Sequence, residues 1–397
     1  MKLREVRELS EELERAMEDA SFYGKLITIL FTNGNCGETC SKISEALSSP
    51  QLSRRYIWLS LDSEENLALF LRLSRGIVPS VVLLNERGEI IGLLEGADPK
   101  ALEEGLRRLI DLYYSGQVKA NRIRDIYPEP QEFDEAGVLE AIGSILSSLK
   151  ADFRQMQLIL FYSKLEQVAK KVIAKLIPQD AYAQALLSGS SSLPSTHFTD
   201  ELALKAKLIN EGVEEVLRRI GEQGEVKRSD RGKYYGYLID QALTVDSLLS
   251  CFSKTGDQRL LDVALRVAEF TFKRLEHEKG FLDNPGFDRV SRRVFIEPLA
   301  NAELAISLAR LYIVTGEEKF AKGSLKAMSA AHGFSRSDRV IARNAIAYLK
   351  LNYGIKTRFP MDDLEDLRVQ RVNGLECDWW FKGQCFKRLE EIEITAF

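Results

Sequence analysis

The sequence predicts an α/β domain followed by an all-α domain. Short apolar runs alternate with helical patterns up to about residue 115, a proline-bearing stretch without apolar periodicity follows at 118–137, and beyond residue 136 every pattern is helical. The expected division is therefore an α/β domain over 1–117, a linker over 118–137, a helical domain over 138–355 and a C-terminal tail over 356–397. A chain of 397 residues that is 45% hydrophobic has material for two cores.

Leu3, Val6, Leu9, Leu13 and Met17 recur at helical spacing, so 2–22 is expected to be a helix that leads into the short apolar strand KLITILF. The loop TNGNCGETC and the helical SKISEALSS come next, followed by a strand in RRYIWLSLD and a helix in SEENLALFLRLS. RGIVPSVVLL is a strand that opens on Pro79, and NERGEI turns the chain into the strand IIGLLEG. Asp98 as N-cap and Pro99 at the first helical position start the last helix of this unit. In the second half, helices are expected at about 138–150, 153–176, 199–220, 235–254, 258–277, 296–315, 317–331 and 338–353. The loops at 186–200 and 277–293 interrupt them. The tail, with its LECDWWFKGQCF cluster, is expected to pack back on the body.

Lys and Arg number 55 against 59 Asp and Glu, a net charge of −4, which disfavours a nucleic-acid partner. The N-terminus is charged and amphipathic without the apolar core of a signal peptide, so a cytoplasmic location is expected. LITILF and PSVVLL are too short to span a bilayer, so no membrane association is expected.

Five cysteines are placed unevenly: Cys36 with Cys40, Cys251 alone, and Cys377 with Cys385. His197, His277 and His332 lie far from either pair, so neither a metal site nor a cofactor is expected. A four-cysteine zinc site would need the tail to reach the first loop. Cys251, among apolar neighbours on a helix, reads as a core residue. A cysteine at a helix N-terminus is stabilised as thiolate by the unpaired N–H groups and the helix dipole, and a second cysteine within reach can resolve a mixed disulfide. Cys36 and Cys40 are the candidate catalytic pair.

The order of elements over roughly 22–115 resembles the thioredoxin fold. The two cysteines stand between an apolar strand and a helix, Ile77-Val78-Pro79-Ser80 resembles the family's cis-proline loop, and the final hairpin and helix match in order. The resemblance implies that Val78 and Pro79 contact a bound protein thiol or disulfide partner. The spacing departs from it: Gly37, Glu38 and Thr39 separate the cysteines, one residue more than usual, and Glu38 adds a charge that opposes thiolate formation. Two readings stay open here, a thiol-disulfide oxidoreductase or redox-responsive protein, and a non-catalytic binding or scaffold protein with a degenerate loop.

TGDQRL and TGEEKF, with Thr255 and Thr315 at matching turns, mark an internal repeat of about 60 residues. Helix pairs repeated in this way resemble α/α toroids of the six-hairpin glycosidase and N-acylglucosamine 2-epimerase type. Together with the N-terminal domain they resemble the spermatogenesis-associated-protein-20-like thioredoxin family, as a divergent and shortened member. The stretches Leu238-Ile239-Asp240-Gln241-Ala242 and Pro298-Leu299-Ala300-Asn301 carry this, with Lys279-Gly280-Phe281 and the pair Cys377 and Cys385. It implies that Asp240 and Asn301 bind a carbohydrate-like small molecule, which opens a third reading, an epimerase or hydrolase. Glu297, Asp240 and Asp283 are the carboxylates to consider. Eight patterned helices fall short of the twelve of a complete toroid. Arg292 and Arg293 offer either an anion site or a solvated charged loop. Cys377 and Cys385, around Trp379-Trp380-Phe381, read as a secondary thiol pair, two metal ligands or part of an aromatic patch, and His197 in its loop reads as a surface residue.

Overall fold

The computed structural model describes residues 11–165, 173–188, 193–209, 211–334, 337–362 and 366–394. The chain forms two compact units: the first runs to Ile126 and takes in Gly232–Tyr234 and Asn284–Phe295, and the second contains the rest.

In the first unit, α1 (Glu11–Tyr23), β1 (Leu26–Thr32), α2 (Gly37–Leu47), α3 (Pro50–Ser53), β2 (Tyr56–Asp62), α4 (Leu67–Leu73), β3 (Ser80–Leu84), β4 (Ile90–Glu95) and α5 (Pro99–Tyr114) follow in order. The start of the helix expected at 2–22, with Leu3, Val6 and Leu9, lies outside the described residues. The strands form one mixed sheet, β2-β1-β3-β4, with β1 parallel to β2 and antiparallel to β3. Alternation along β1 supplies both faces. Ile27, Ile29 and Phe31 pack with Leu13 and Met17 of α1 and with Leu69 and Phe70 of α4. Leu26 and Leu30 pack on the other side with Ile43 and Leu47 of α2 and Leu102 and Leu106 of α5. Asp98 caps α5 by accepting from the Lys100 and Ala101 N–H groups, as its position ahead of Pro99 predicts.

From Asn284 onward, the excursion after the 258–277 pattern belongs to this unit. Val290 is buried in the core of α1, β1 and α4. The Arg72 guanidinium donates to the Arg293 carbonyl at 2.9 Å, and Arg289 pairs with Glu14 at 3.2 Å. The expected linker is ordered and divides after Ile126: Asn121 exchanges backbone bonds with Ile90 in the first unit, whereas Phe133 is buried in the core of the second.

The second unit contains α6 (Glu135–Ser148), β5 (Lys150–Ala151), α7 (Phe153–Tyr162), β6 (Ile177–Pro178), α8 (Ala181–Ser188), α9 (Thr199–Ile209), α10 (Val213–Arg218), α11 (Leu238–Thr255), α12 (Gln258–Leu275), β7 (Glu276–His277), β8 (Gly280–Phe281), α13 (Pro298–Thr315), α14 (Glu318–Phe334) and α15 (Asp338–Tyr353). The helix expected at 153–176 ends at Tyr162, and 166–172 lie outside the described residues, as do 189–192 of the loop at 186–200. The pattern at 199–220 is two helices, because Gly212 adopts φ 86°, a left-handed conformation that an α-helix does not continue. Gly256 and Gly316 take the same conformation after Thr255 and Thr315, so the repeated T-G-[DE] marks two equivalent helix ends.

Six helices close into a ring: α7 packs on α8, α8 on α9, α9 on α11, α11 on α13, α13 on α15, and α15 on α7. α11 and α13 are buried nearly all round, as inner helices must be, while α12 buries one stripe against α11 and α14 lies against α13 and α15. The tail folds as a small sheet, β10-β9-β11-β12, from β9 (Ile355–Thr357), β10 (Val369–Arg371), β11 (Trp379–Phe381) and β12 (Gln384–Phe386).

If Val290 is part of the first core, Val290→Ala should destabilise that unit by about 1–3 kcal/mol. Hydrogen exchange at the β1 and β3 amides checks this, and unchanged protection there would place Val290 outside the cooperative core.

Candidate functional site

β1 ends at Thr32, and the chain turns through Asn33, whose side-chain oxygen accepts from the Cys36 N–H at 3.0 Å and the Asn35 N–H at 3.1 Å. This turn delivers Cys36 as the residue immediately ahead of the first turn of α2. Cys36 is half-buried and Cys40, one turn on, is buried. The two are joined by a disulfide with Cα atoms 5.5 Å apart. The Asn33 N–H lies 3.5 Å from the Cys36 sulfur. At a helix N-terminus the unpaired N–H groups and the dipole favour a negative sulfur. Glu38, which the spacing places to oppose this, faces solvent and pairs with Lys42 at 2.7 Å, so water and the ammonium screen it.

The extra residue between the cysteines is absorbed at the helix start: Cys36 becomes the N-cap, and Gly37, at φ 35°, begins α2. On the neighbouring strand the Val78–Pro79 peptide is cis. Because Phe31 pairs with Ser80, the register sets Pro79 beside Thr32, at the end of β1 from which the cysteine loop departs. Val78 is half-buried against the core and Ile77 is exposed. Cys36, Cys40, Val78 and Pro79 thus share one end of one sheet.

The other candidates lie in the second unit. Asn301 is fully buried: its amide oxygen accepts from the Phe281 N–H, and its amide nitrogen donates to the Phe281 and Glu297 carbonyls. It ties β8 to the start of α13. Asp240 is also buried and accepts from Arg228 at 2.6 Å, and Arg228 pairs with Asp200 as well. Glu297 accepts from the Leu299 and Ala300 N–H groups as N-cap of α13. Burial raises its pKa, the two N–H groups oppose this, and Asp283 adds to the rise. Cys377 and Cys385 form a second disulfide, bridging the segment just before β11 to the exposed edge strand β12. Cys251 is a buried free thiol, and the His197 ring stacks on Phe198 at 4.1 Å while its carbonyl accepts from Arg219.

Sequence reasoning missed the charges inside the helix ring. Glu303 of α13 pairs with Arg154 of α7 at 2.7 Å and with Arg343 of α15 at 2.5 Å. Asp246 of α11 pairs with Lys207 of α9 and Arg310 of α13. Burial alone would raise the Asp246 pKa, but the Lys207 ammonium and the Arg310 guanidinium override it and hold the carboxyl well below the usual range. The available signal was Arg310 within the apolar run LAISLARLYIV, a charge that an all-buried helix carries only with a partner.

No family model and no curated protein matches the chain. Among solved structures, a thioredoxin from Thermus thermophilus is similar at 26% identity over 26% of this chain and 84% of its own, with a TM-score of 0.22. A GH76 alpha-mannanase from Bacteroides thetaiotaomicron is similar at 12% identity over 56% of this chain and 70% of its own, with a TM-score of 0.33. Among the described residues no helix is long and apolar enough to cross a membrane.

A carboxylate whose pKa is depressed in the folded state stabilises above its unfolded pKa, and that stability is lost as pH falls. Asp246 should therefore contribute fully at neutral pH and progressively less below about pH 4. Asp246→Asn, which leaves two buried cations without their counter-ion, should cost about 3–5 kcal/mol at neutral pH. Urea unfolding followed by far-UV circular dichroism reads both effects; a variant as stable and as acid-sensitive as the parent would refute the assignment.

Proposed function

We propose that this protein performs thiol-disulfide exchange at Cys36 and Cys40 with a protein partner. The observation that carries the reading is the joint placement of a half-buried cysteine at a helix N-terminus, a buried cysteine one turn on, and a cis proline at the adjacent strand end. The sheet order and the cis proline support a thioredoxin-like fold. The closed helix ring supports an α/α toroid, and the fusion fits a divergent member of the spermatogenesis-associated-protein-20-like family.

In the reduced protein the Cys36 thiolate attacks one sulfur of a partner disulfide. A Cys36–partner disulfide forms, and the other partner sulfur leaves as a thiolate that takes up a proton. The Cys40 thiolate then attacks the Cys36 sulfur, the mixed disulfide breaks, and the second partner thiolate departs. The partner gains two electrons and the Cys36–Cys40 disulfide closes. The reverse sequence oxidises a partner dithiol, so the relative potentials set the direction. Val78, Pro79 and the exposed Ile77 provide the surface on which the partner's backbone and an apolar side chain settle.

The carbohydrate-processing alternative has less support. Asp240 and Asn301, which that reading assigns to a sugar, are buried and engaged with protein groups.

Alkylation with mass spectrometry of the reduced protein should find one thiol, Cys36, titrating below the ordinary value of about 8.5. Cys36→Ser should abolish exchange with a model disulfide, and Cys40→Ser should accumulate the mixed disulfide. Two thiols of ordinary acidity that never pair would leave the fold as a binding module.

A further inference from the structure

Three separate stretches of the first unit converge on a cleft of about 540 Å³: the β3–β4 turn, the strand-like segment after Asn121 and the inserted loop that contains Val290. Its lining carries five arginines, Arg87, Arg122, Arg289, Arg292 and Arg293. Two carboxylates accompany them, and both are engaged. Glu89 accepts from the Asn85 amide at 2.8 Å and pairs with Arg122 at 3.4 Å, and Asp125 accepts from the Val294 N–H at 2.9 Å. Arg289 pairs with Glu14, and Arg87 pairs loosely with Glu86. Arg292 and Arg293 are exposed, and among the described residues no carboxylate pairs with either guanidinium.

The loop that presents these two arginines is held in one conformation. Asp288 accepts from the Val290 and Ser291 N–H groups, and the Ser291 hydroxyl oxygen accepts from the Phe287 and Asp288 N–H groups. The Arg292 N–H donates to the Asp288 carbonyl at 2.9 Å, and the Arg293 carbonyl accepts from buried Arg72. On the opposite wall Gly88, at φ 77°, lies close to Met17 and Val290, where a side chain would strain the turn and crowd its approach to the loop.

We propose that this cleft binds a small phosphorylated metabolite. Guanidinium groups match phosphate oxygens in bidentate pairs, and with Arg87, Arg122 and Arg289 paired to Glu86, Glu89 and Glu14 it is Arg292 and Arg293 that give an anion cationic surface to neutralise. The volume suits a small molecule. Ile123, Val290 and Val294 give the cleft apolar lining, and among the described residues that lining holds no aromatic ring on which a nucleobase would stack. The ligand class is therefore an aliphatic or polyol body that carries two or more phosphoryl groups. This site is independent of the cysteine pair.

The test is titration calorimetry of the full chain with inorganic pyrophosphate at low ionic strength, where surface charge is least screened. Saturable one-site binding is expected, weakened about 10-fold or more by Arg292→Gln with Arg293→Gln and unchanged by Arg388→Gln in the exposed tail. Among the described residues neither cleft guanidinium forms an ion pair, so the double variant should keep its far-UV spectrum, and Arg292→Lys should retain part of the affinity. Failure of pyrophosphate to saturate, or equal binding by the double variant, overturns the proposal. Tighter binding of an oligoglutamate peptide than of pyrophosphate overturns it in favour of an acidic polypeptide. Cys36→Ser should bind pyrophosphate as the parent does, so failure of the exchange reaction and failure of this site are read separately.

Discussion

The candidate redox centre depends on the burial of β1 on both faces. Leu26, Ile27, Ile29, Leu30 and Phe31 are all at most 3% exposed, and successive side chains serve opposite cores. A slip of one residue would exchange these sets and place the wrong side chains against each layer of helices, so the register with β2 and β3 is strongly specified. From that register follow the height at which the cysteine loop leaves the sheet, the place of Cys36 as N-cap of α2, and the position of Pro79 beside Thr32. The placement of Cys36 is a consequence of strand packing before it is a matter of which residues lie between the two cysteines.

The helix ring is governed by a different constraint. Its inner helices bring Asp246, Glu303, Arg310 and Arg343 into a medium of low dielectric, where an isolated charge is costly and a paired one is tolerated. Each carboxylate is clamped between two cations, and those beside Asp246 hold its carboxyl well below the range of a proton donor poised near neutral pH. Glu297 has the opposite tendency, raised by burial and then by Asp283, yet it is occupied in capping α13. These pairs lock the relative rotation of α7, α9, α11, α13 and α15, because a helix turned about its axis would leave a buried charge alone.

Much of this was legible in the sequence. The helical pattern with the T-G-[DE] repeat gave the pairs α11–α12 and α13–α14, since an αL glycine after a threonine and an Asp or Glu at the next helix start are local signals. Cys36 and Cys40 were recognisable because a strand, a loop and a helix start are written in adjacent residues, and Pro79 through its likeness to a cis-proline loop. The membership of Asn284–Phe295 in the first unit was not legible, because Val290 lies far along the chain from Met17 and its loop has no periodicity. The small tail sheet was missed because three-residue strands are too short to show alternation. Asp240 and Asn301 were singled out through the family resemblance, but the groups they bond to come from segments that nothing local identifies.

By itself the sequence determined the order of strands and helices in the first unit, the two turns marked by T-G-[DE] and the placement of the cysteine pair between a strand and a helix, because these depend on side-chain period and on neighbours a few residues away. Only the tertiary structure decided that the helices close into a ring, that its carboxylates are tied up in ion pairs, and that arginines from three separated segments surround one cleft. Such outcomes depend on distances between residues far apart in the chain, and those distances are set by the packing of whole cores and by the need of every buried charge for a partner.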